Sequence, residues 1–347
     1  MKTLSVAAAC GSFLSLLSLS LASASAVAAQ ITFVSQGGTY QEAQTKAILD
    51  PAAKNLGITI KQDSAPDAWP MVKAQGDAKK ILWDVIDTPP SNCLRGGNEG
   101  LIEPLDLSKM PNVEKMPAAY RTPYSVAYEF YSSVIGYNKT LEKIPQTWAE
   151  FWDVENFPGT RALRNDPMST LEAALLSDGV PRDKLYPLDV DRAYKRLEQI
   201  KPHIAVWWTS GGQSAQLLAD GEVDMLMIWN GRASAVQKSN PDVAFTYNDG
   251  LLQNTQLCIL KSAPNHDAAV KFVNEALSPE LQANLPLYID YGPGNPAAFE
   301  TGKISEQRAK ELPSSPDNAA KQALMSEEWW ASPAGIAAKD RWLKFVQ

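Results

Sequence analysis

The chain has 347 residues, 45% of them hydrophobic and 20% charged, with a formal net charge of −7. That composition belongs to a soluble globular protein with room for about two domains. The acidic balance and the lack of clustered Lys and Arg exclude a nucleic-acid surface, because phosphate contacts need such clusters.

In chain order, Lys2 comes first and residues 3–30 carry no charge. A lone cation, a Leu-rich apolar stretch and small residues before a cut after Ala28 or Ala29 make a cleaved secretory signal over residues 1–29. The run is long enough to resemble a membrane anchor, but its serines and Ala-rich end favour cleavage. A lipoprotein cut at Cys10 would leave most of the apolar stretch on the mature chain.

"ITFVS" predicts a strand. "YQEAQTKAILDPAAKNLG" predicts a helix ending at Gly57, with Pro51 as a kink. "ITIKQDS" is a strand, 69–79 a helix and "WDVID" a strand. Short β runs separated by helices imply a mainly parallel sheet covered on both faces. "YSVAYEFYSSVIGYNK", at 124–139, is a β-rich run long enough to cross between domains. Then follow strand "IAVWW", helix "GQSAQLLADGE", apolar strand "DMLMIW", helix "ASAVQKSN" and strands "VAFTY" and "TQLCILK". "HDAAVKFVNEAL" and "SPELQANL" are helices, and the tail from 316 is helical with breaks at Ser332 and Pro333. The stretch from "VAFTY" to "LCIL" would carry the chain back. The expected α/β fold has a first lobe at 30–133 and 246–300, a second at 134–245 and 301–347, and a hinge of two extended crossings beside a cleft. Beyond the signal, the cysteines are Cys93 and Cys258. Far apart, with the second in the apolar "LCIL", they read as buried free thiols, although an oxidising compartment permits a disulfide.

The chemistry points to binding, not turnover. The chain has two His and no G-x-S-x-G, H-x-x-x-H, C-x-x-C or P-loop motif, so no nucleophile–base pair, metal or cofactor is expected. Three strand-to-helix turns offer binding groups instead, at the strand ends where α/β sheets hold ligands. In "SQGGTYQEAQ", Gly37 and Gly38 would turn backbone N–H groups toward a ligand at a helix N-terminus, with Tyr40 at the same edge. The alternative is a tight turn with a packed Tyr. In "TSGGQSAQ", Ser210 would donate into the cleft or simply cap its helix. In "WNGR", Trp229 would form a cleft wall. Arg232 lies near a helix N-terminus, where a cation is unfavourable unless its planar fork faces an anion. A ligand carboxylate fits, and an internal ion pair with Asp166 or Asp249 is the alternative. Asp166 is a cleft acid or a helix cap, and Tyr291 a cleft wall or scaffold.

"IPQTWAEFWDVENFPGTRALRNDP", "GEVDMLMIWNGRASAV" and "YGPGNPAA" resemble the periplasmic solute-binding proteins of bacterial ABC importers, in the branch that captures spermidine, putrescine and 4-aminobutyrate. The similarity runs from about Ile31 to the C-terminus. It implies two α/β lobes of the type II class closing on a small ligand, a periplasmic monomer, and membrane permease subunits as partners. It also places the stacking Trp of the family on Trp229, a turn Tyr on Tyr291 and one acid on Asp166. Elsewhere the chain departs. A second acid is Ser169, the Trp-x-Asp of the returning strand reads Gln253, Asn254, Thr255, an expected aromatic is Ser91, and the residue after W-N-G is Arg232. Fewer acids and an added Arg imply a short ω-amino acid or other small carboxylate, with a polyamine as the alternative. With Thr255 where those relatives keep an acid for the amine, Asp166 or Asp249 would then receive it.

Overall fold

The computed structural model describes residues 29–346, so the expected signal segment lies, Ala29 apart, outside the described residues. The strands are β1 (Gln30–Ser35), β2 (Thr59–Ser64), β3 (Val85–Thr88), β4 (Val126–Asn138), β5 (Arg161–Arg164), β6 (Ile204–Trp208), β7 (Met225–Trp229), β8 (Val243–Ile259), β9 (Gly292–Pro293) and β10 (Ala323–Leu324). Their order is β2-β1-β3-β8-β4-β7-β5-β6, with β10 added to β8 and β9 to β4. β1 runs parallel to β2 and β3, and β5 parallel to β6 and β7. The antiparallel pairs all involve β4 or β8.

Hydrogen bonding runs unbroken through both halves, because β4 and β8 are long enough to serve both. "VAFTY" and "TQLCILK" are the two ends of one 17-residue strand, β8. Ser133 pairs with Leu251 and Ile135 with Thr246, so residues 247–250 face Val134 alone. This bulge bends the pair between the halves. Asp249 adopts φ 54° there; its N–H is taken by the Lys321 carbonyl and its own carbonyl accepts from Trp148 Nε1 at 2.8 Å. β10 pairs with Leu251 and Leu252 at the same place. The tail, expected to be helical with breaks at Ser332 and Pro333, is so except for the two-residue strand Ala323–Leu324 at the crossing.

The apolar side chains divide on either side of that bend. One core packs Ile31, Phe33, Val85, Tyr128, Leu257 and Phe272 under the first sheet segment. The other packs Ile135, Trp148, Leu163, Trp208, Met227 and Ile228, closed over by Trp330 and Trp342 of the tail. Each buried indole of the tail contributes on the order of 3–5 kcal/mol. Their N–H groups are satisfied by Glu172 and Asn165, as burial of an indole requires.

Local signals explain most helices. Gly57 ends the first helical run at φ 63°. Pro51, lacking an N–H, is accommodated by a π-turn one turn earlier at Thr45–Leu49. The helices Pro90–Asn98 and Val190–Ile200 and the strand β5 were not foreseen. β5 has only four residues and includes two arginines, so it shows no strand pattern.

The reading of free thiols is corrected. Cys93, on Pro90–Asn98, and Cys258, on β8, form a disulfide with Cα atoms 6.1 Å apart. The helix lies directly on the strand, and both cysteines are fully buried among Val34, Val72, Ile86 and Leu260. Sequence separation of 165 residues concealed a proximity that the folded sheet creates.

Candidate functional site

β1 and β7 each end at the bend between the two cores, and each opens a helix there. β1 leads through Gln36 to Gly38–Gln44, and β7 leads to Asn230–Ser239. Between them lies a narrow pocket with a cavity volume of about 20 Å3, lined by Gln36, Tyr40, Glu129, Tyr131, Trp229, Arg232, Thr255 and Tyr291.

The walls are aromatic. Tyr291 sits against both Tyr40 and Tyr131, with ring centroids 5.8 and 5.6 Å apart. Trp229 meets the edges of Tyr131 and Trp208 at 6.3 and 5.5 Å. The Arg164 guanidinium lies 5.2 Å from the Trp229 ring centroid, which fixes the indole from behind.

The W-N-G-R segment has a separate task for each residue. Trp229 supplies the wall. Asn230, fully buried, accepts from the Ser132 N–H of β4 at 2.9 Å and donates to the Asp290 carbonyl at 2.5 Å, so its side chain ties the crossing strand to the loop before Tyr291. Gly231 leaves room for the Tyr291 ring, since a Cβ there would stand 2.5 Å from Cε1. Arg232 reaches across the gap and donates from Nη1 to Thr39 Oγ1 at 2.6 Å. The alternative of an internal ion pair fails: among the described residues Arg232 has no carboxylate partner, and its buried Nε has no hydrogen-bond acceptor.

Among the described residues, five of the fifteen buried side-chain polar atoms without a partner belong to four lining residues: both oxygens of Glu129, Trp229 Nε1, Arg232 Nε and Thr255 Oγ1. Buried polar atoms are normally paired. A cluster of unpaired ones around one pocket marks a place built for polar groups of a bound molecule.

Of the residues singled out from sequence, Tyr40, Trp229, Arg232, Thr255 and Tyr291 line this pocket. The others do not, for definite reasons. Gly37, at φ 76°, spends its N–H on Gln41 Oε1, and Gly38 supplies the turn at φ 61°. Ser210 caps its helix by accepting from the Gln213 N–H at 3.2 Å. Its neighbour Gly211 is the one that approaches the site, against Trp229 and Arg232. Asp166 caps a helix through the Met168 N–H at 2.8 Å and holds Arg164 at 3.3 Å, so it touches the site only by steadying the cation behind Trp229. Asp249 belongs to the bulge, and Ser91 is buried beside Glu327. Sequence reading missed Gln36, Glu129 and Tyr131. A signal existed for the last two: Glu129 is the single charge between 124 and 138, and Tyr131, two positions on, shares its face of the strand.

Burial raises the Glu129 carboxyl well above the ordinary carboxylate range and raises the Tyr131 and Tyr291 hydroxyls. Next to the pocket, Asp87 is pushed up to about 6 by burial. It is held below the value burial would otherwise give by Thr255, then by Gln44, whose Nε2 donates at 2.7 Å, and by Ser35. No group of three or more metal-ligating side chains is present among the described residues.

Comparison with known proteins places this geometry. Residues 31–313 match the family model for bacterial extracellular solute-binding proteins. A gamma-aminobutyric acid-binding protein of Pseudomonas aeruginosa is 35% identical over 324 residues, covering 91% of each chain. A spermidine/putrescine-binding periplasmic protein of Escherichia coli is 26% identical, over 81% of this chain and 82% of that one. Among solved structures, an ABC transporter substrate-binding protein from Bradyrhizobium japonicum is 68% identical, with a TM-score of 0.90, and covers 92% of this chain and all of the other. These relatives are two-lobed substrate-binding subunits, not enzymes; they take small molecules and work with membrane permeases. No helix of the described residues is long and apolar enough to cross a membrane. A two-lobed fold, an aromatic pocket at the bend and a family match over most of its length together make this chain a member of the bacterial extracellular solute-binding proteins.

Proposed function

We propose that this chain captures a short amino-carboxylate outside the cytoplasmic membrane and delivers it to an ABC importer. The lobes are those expected from sequence, 30–133 with 246–300 and 134–245 with 301–347, and the protein acts as a monomer released by cleavage after Ala28 or Ala29. The observation that carries the reading is Arg232: a guanidinium in an aromatic pocket, free of any carboxylate, with a buried Nε that lacks an acceptor. A planar fork in that state is complementary to a carboxylate. A diamine or polyamine needs several acids, whereas Glu129 is the one carboxylate among the lining residues and Arg232 would repel an ammonium. The gamma-aminobutyric acid-binding relative supports the same choice, and the aromatic rings would pack on a short methylene chain.

The test is calorimetric binding of 4-aminobutyrate, short diacids, putrescine and spermidine to the native protein and to Arg232→Ala. An amino-carboxylate should bind best, and the substitution should weaken it by roughly 30-fold or more, as loss of one partner of a buried charge pair does. Tighter binding of a polyamine, or acid binding that survives the substitution, would overturn the proposal.

A further inference from the structure

Glu129 is fully buried, and neither of its carboxylate oxygens has a hydrogen-bond partner. Its place on β4 explains where it points but not why it is acidic. The neighbours Val126, Ala127, Tyr128 and Phe130 all pack in the core, and an apolar residue at 129 would extend that core at no electrostatic cost. An unpartnered buried carboxyl costs several kcal/mol if ionised. It persists in a folded protein when something outside the chain completes it.

The register supplies the second half of the site. Glu129 pairs with Thr255 across β4 and β8, and the Thr255 hydroxyl is likewise buried, facing the Asp87 carboxyl. Both line the pocket. The Arg232 guanidinium reaches Thr39, an exposed residue. The Tyr291 hydroxyl lies within the fields of both the Arg232 cation and the Glu129 carboxylate. One pocket therefore holds a cation that reaches the exposed Thr39, an acid paired across the sheet with Thr255, and aromatic rings.

We infer that Glu129, with Thr255, is the acceptor for the ligand's ammonium group, so that the pocket selects molecules carrying an amine and a carboxylate at opposite ends of a short chain. This rests on Arg232 holding the carboxylate. It assigns the amine end to a residue of the crossing strand, so an occupied pocket ties the ligand to the element around which the lobes bend. The ionisable groups facing Glu129 are Tyr40, Tyr131, Tyr291 and Arg232, with Asp87 and Tyr128 next to the pocket. None of them neutralises it in the way an ammonium would.

The experiment compares 4-aminobutyrate with butyrate, which lacks the amine, on the native protein, Glu129→Gln and Arg232→Ala. The amide keeps the shape and burial of the carboxyl, and an unliganded melting temperature at or above native would show that the variant folds. Native protein should prefer 4-aminobutyrate to butyrate by roughly 30-fold or more. Glu129→Gln should erase that preference while leaving butyrate affinity within a few-fold of native, and Arg232→Ala should weaken both acids. If Arg232→Ala weakens both but Glu129→Gln retains the native preference, the amine goes elsewhere and this inference fails alone. If neither acid binds the native protein, the reading of Arg232 fails with it.

Discussion

The disulfide gives the sharpest quantitative expectation. Cys93 and Cys258 close a loop of 165 residues, and that loop contains the whole run from β4 to β7 that builds most of the second core. In the chain-entropy account, closing a loop of that length lowers the free energy of the folded state relative to the unfolded by about 5 kcal/mol at 25 °C. Reduction keeps both sulfurs in their buried cluster with Val34, Val72 and Ile86, so it isolates the loop contribution from any cavity. Urea unfolding followed by indole fluorescence, with and without reductant, should show a loss approaching that figure. Thiol titration of denatured protein beginning at Gln30, without Cys10, should find none before reduction and two after. Ligand affinity should stay unchanged, because neither cysteine lines the pocket. Two titratable thiols in protein prepared under oxidising conditions, or superimposable unfolding curves, would refute the reasoning.

Two further outcomes follow from other parts of the structure. Burial pushes Glu172 from the ordinary 4.5 up to about 7, even though Tyr186 Oη and Trp330 Nε1 donate to its Oε1. The folded state then holds a proton that the unfolded state has lost, so stability is full below pH 4.5 and falls by about 3 kcal/mol as pH rises through 7. Glu172→Gln, which keeps the acceptor oxygen, should flatten the decline of melting temperature between pH 5 and 8; an unchanged slope would reject that assignment. Gly231→Ala would place a Cβ 2.5 Å from the Tyr291 ring, and overpacking of that kind costs about 1–3 kcal/mol. Because the displaced ring is a pocket wall, ligand affinity should fall roughly 5- to 100-fold with the fold retained, and calorimetry giving native affinity would contradict it.

What the sequence determined by itself was local in origin. Alternating strands and helices, the Gly57 stop, the β-rich runs at both crossings and the strand-to-helix turn at Trp229 are all patterns within a window of about a dozen residues, and the chain obeys them. Arg232 was legible for the same reason, as a cation placed against the sense of a helix dipole. Tertiary structure decided everything that depends on which distant residues meet. It joined Cys93 to Cys258 across the sheet, turned Asp166 into a cap that steadies Arg164, placed Asp249 in the bulge and made one strand of two. It also brought Glu129 opposite Thr255. In sequence Glu129 is merely one charge in a β run; only the pairing of β4 with β8 makes it the unpartnered acid of a pocket, since burial and lack of a partner are properties of the surroundings and not of the residue.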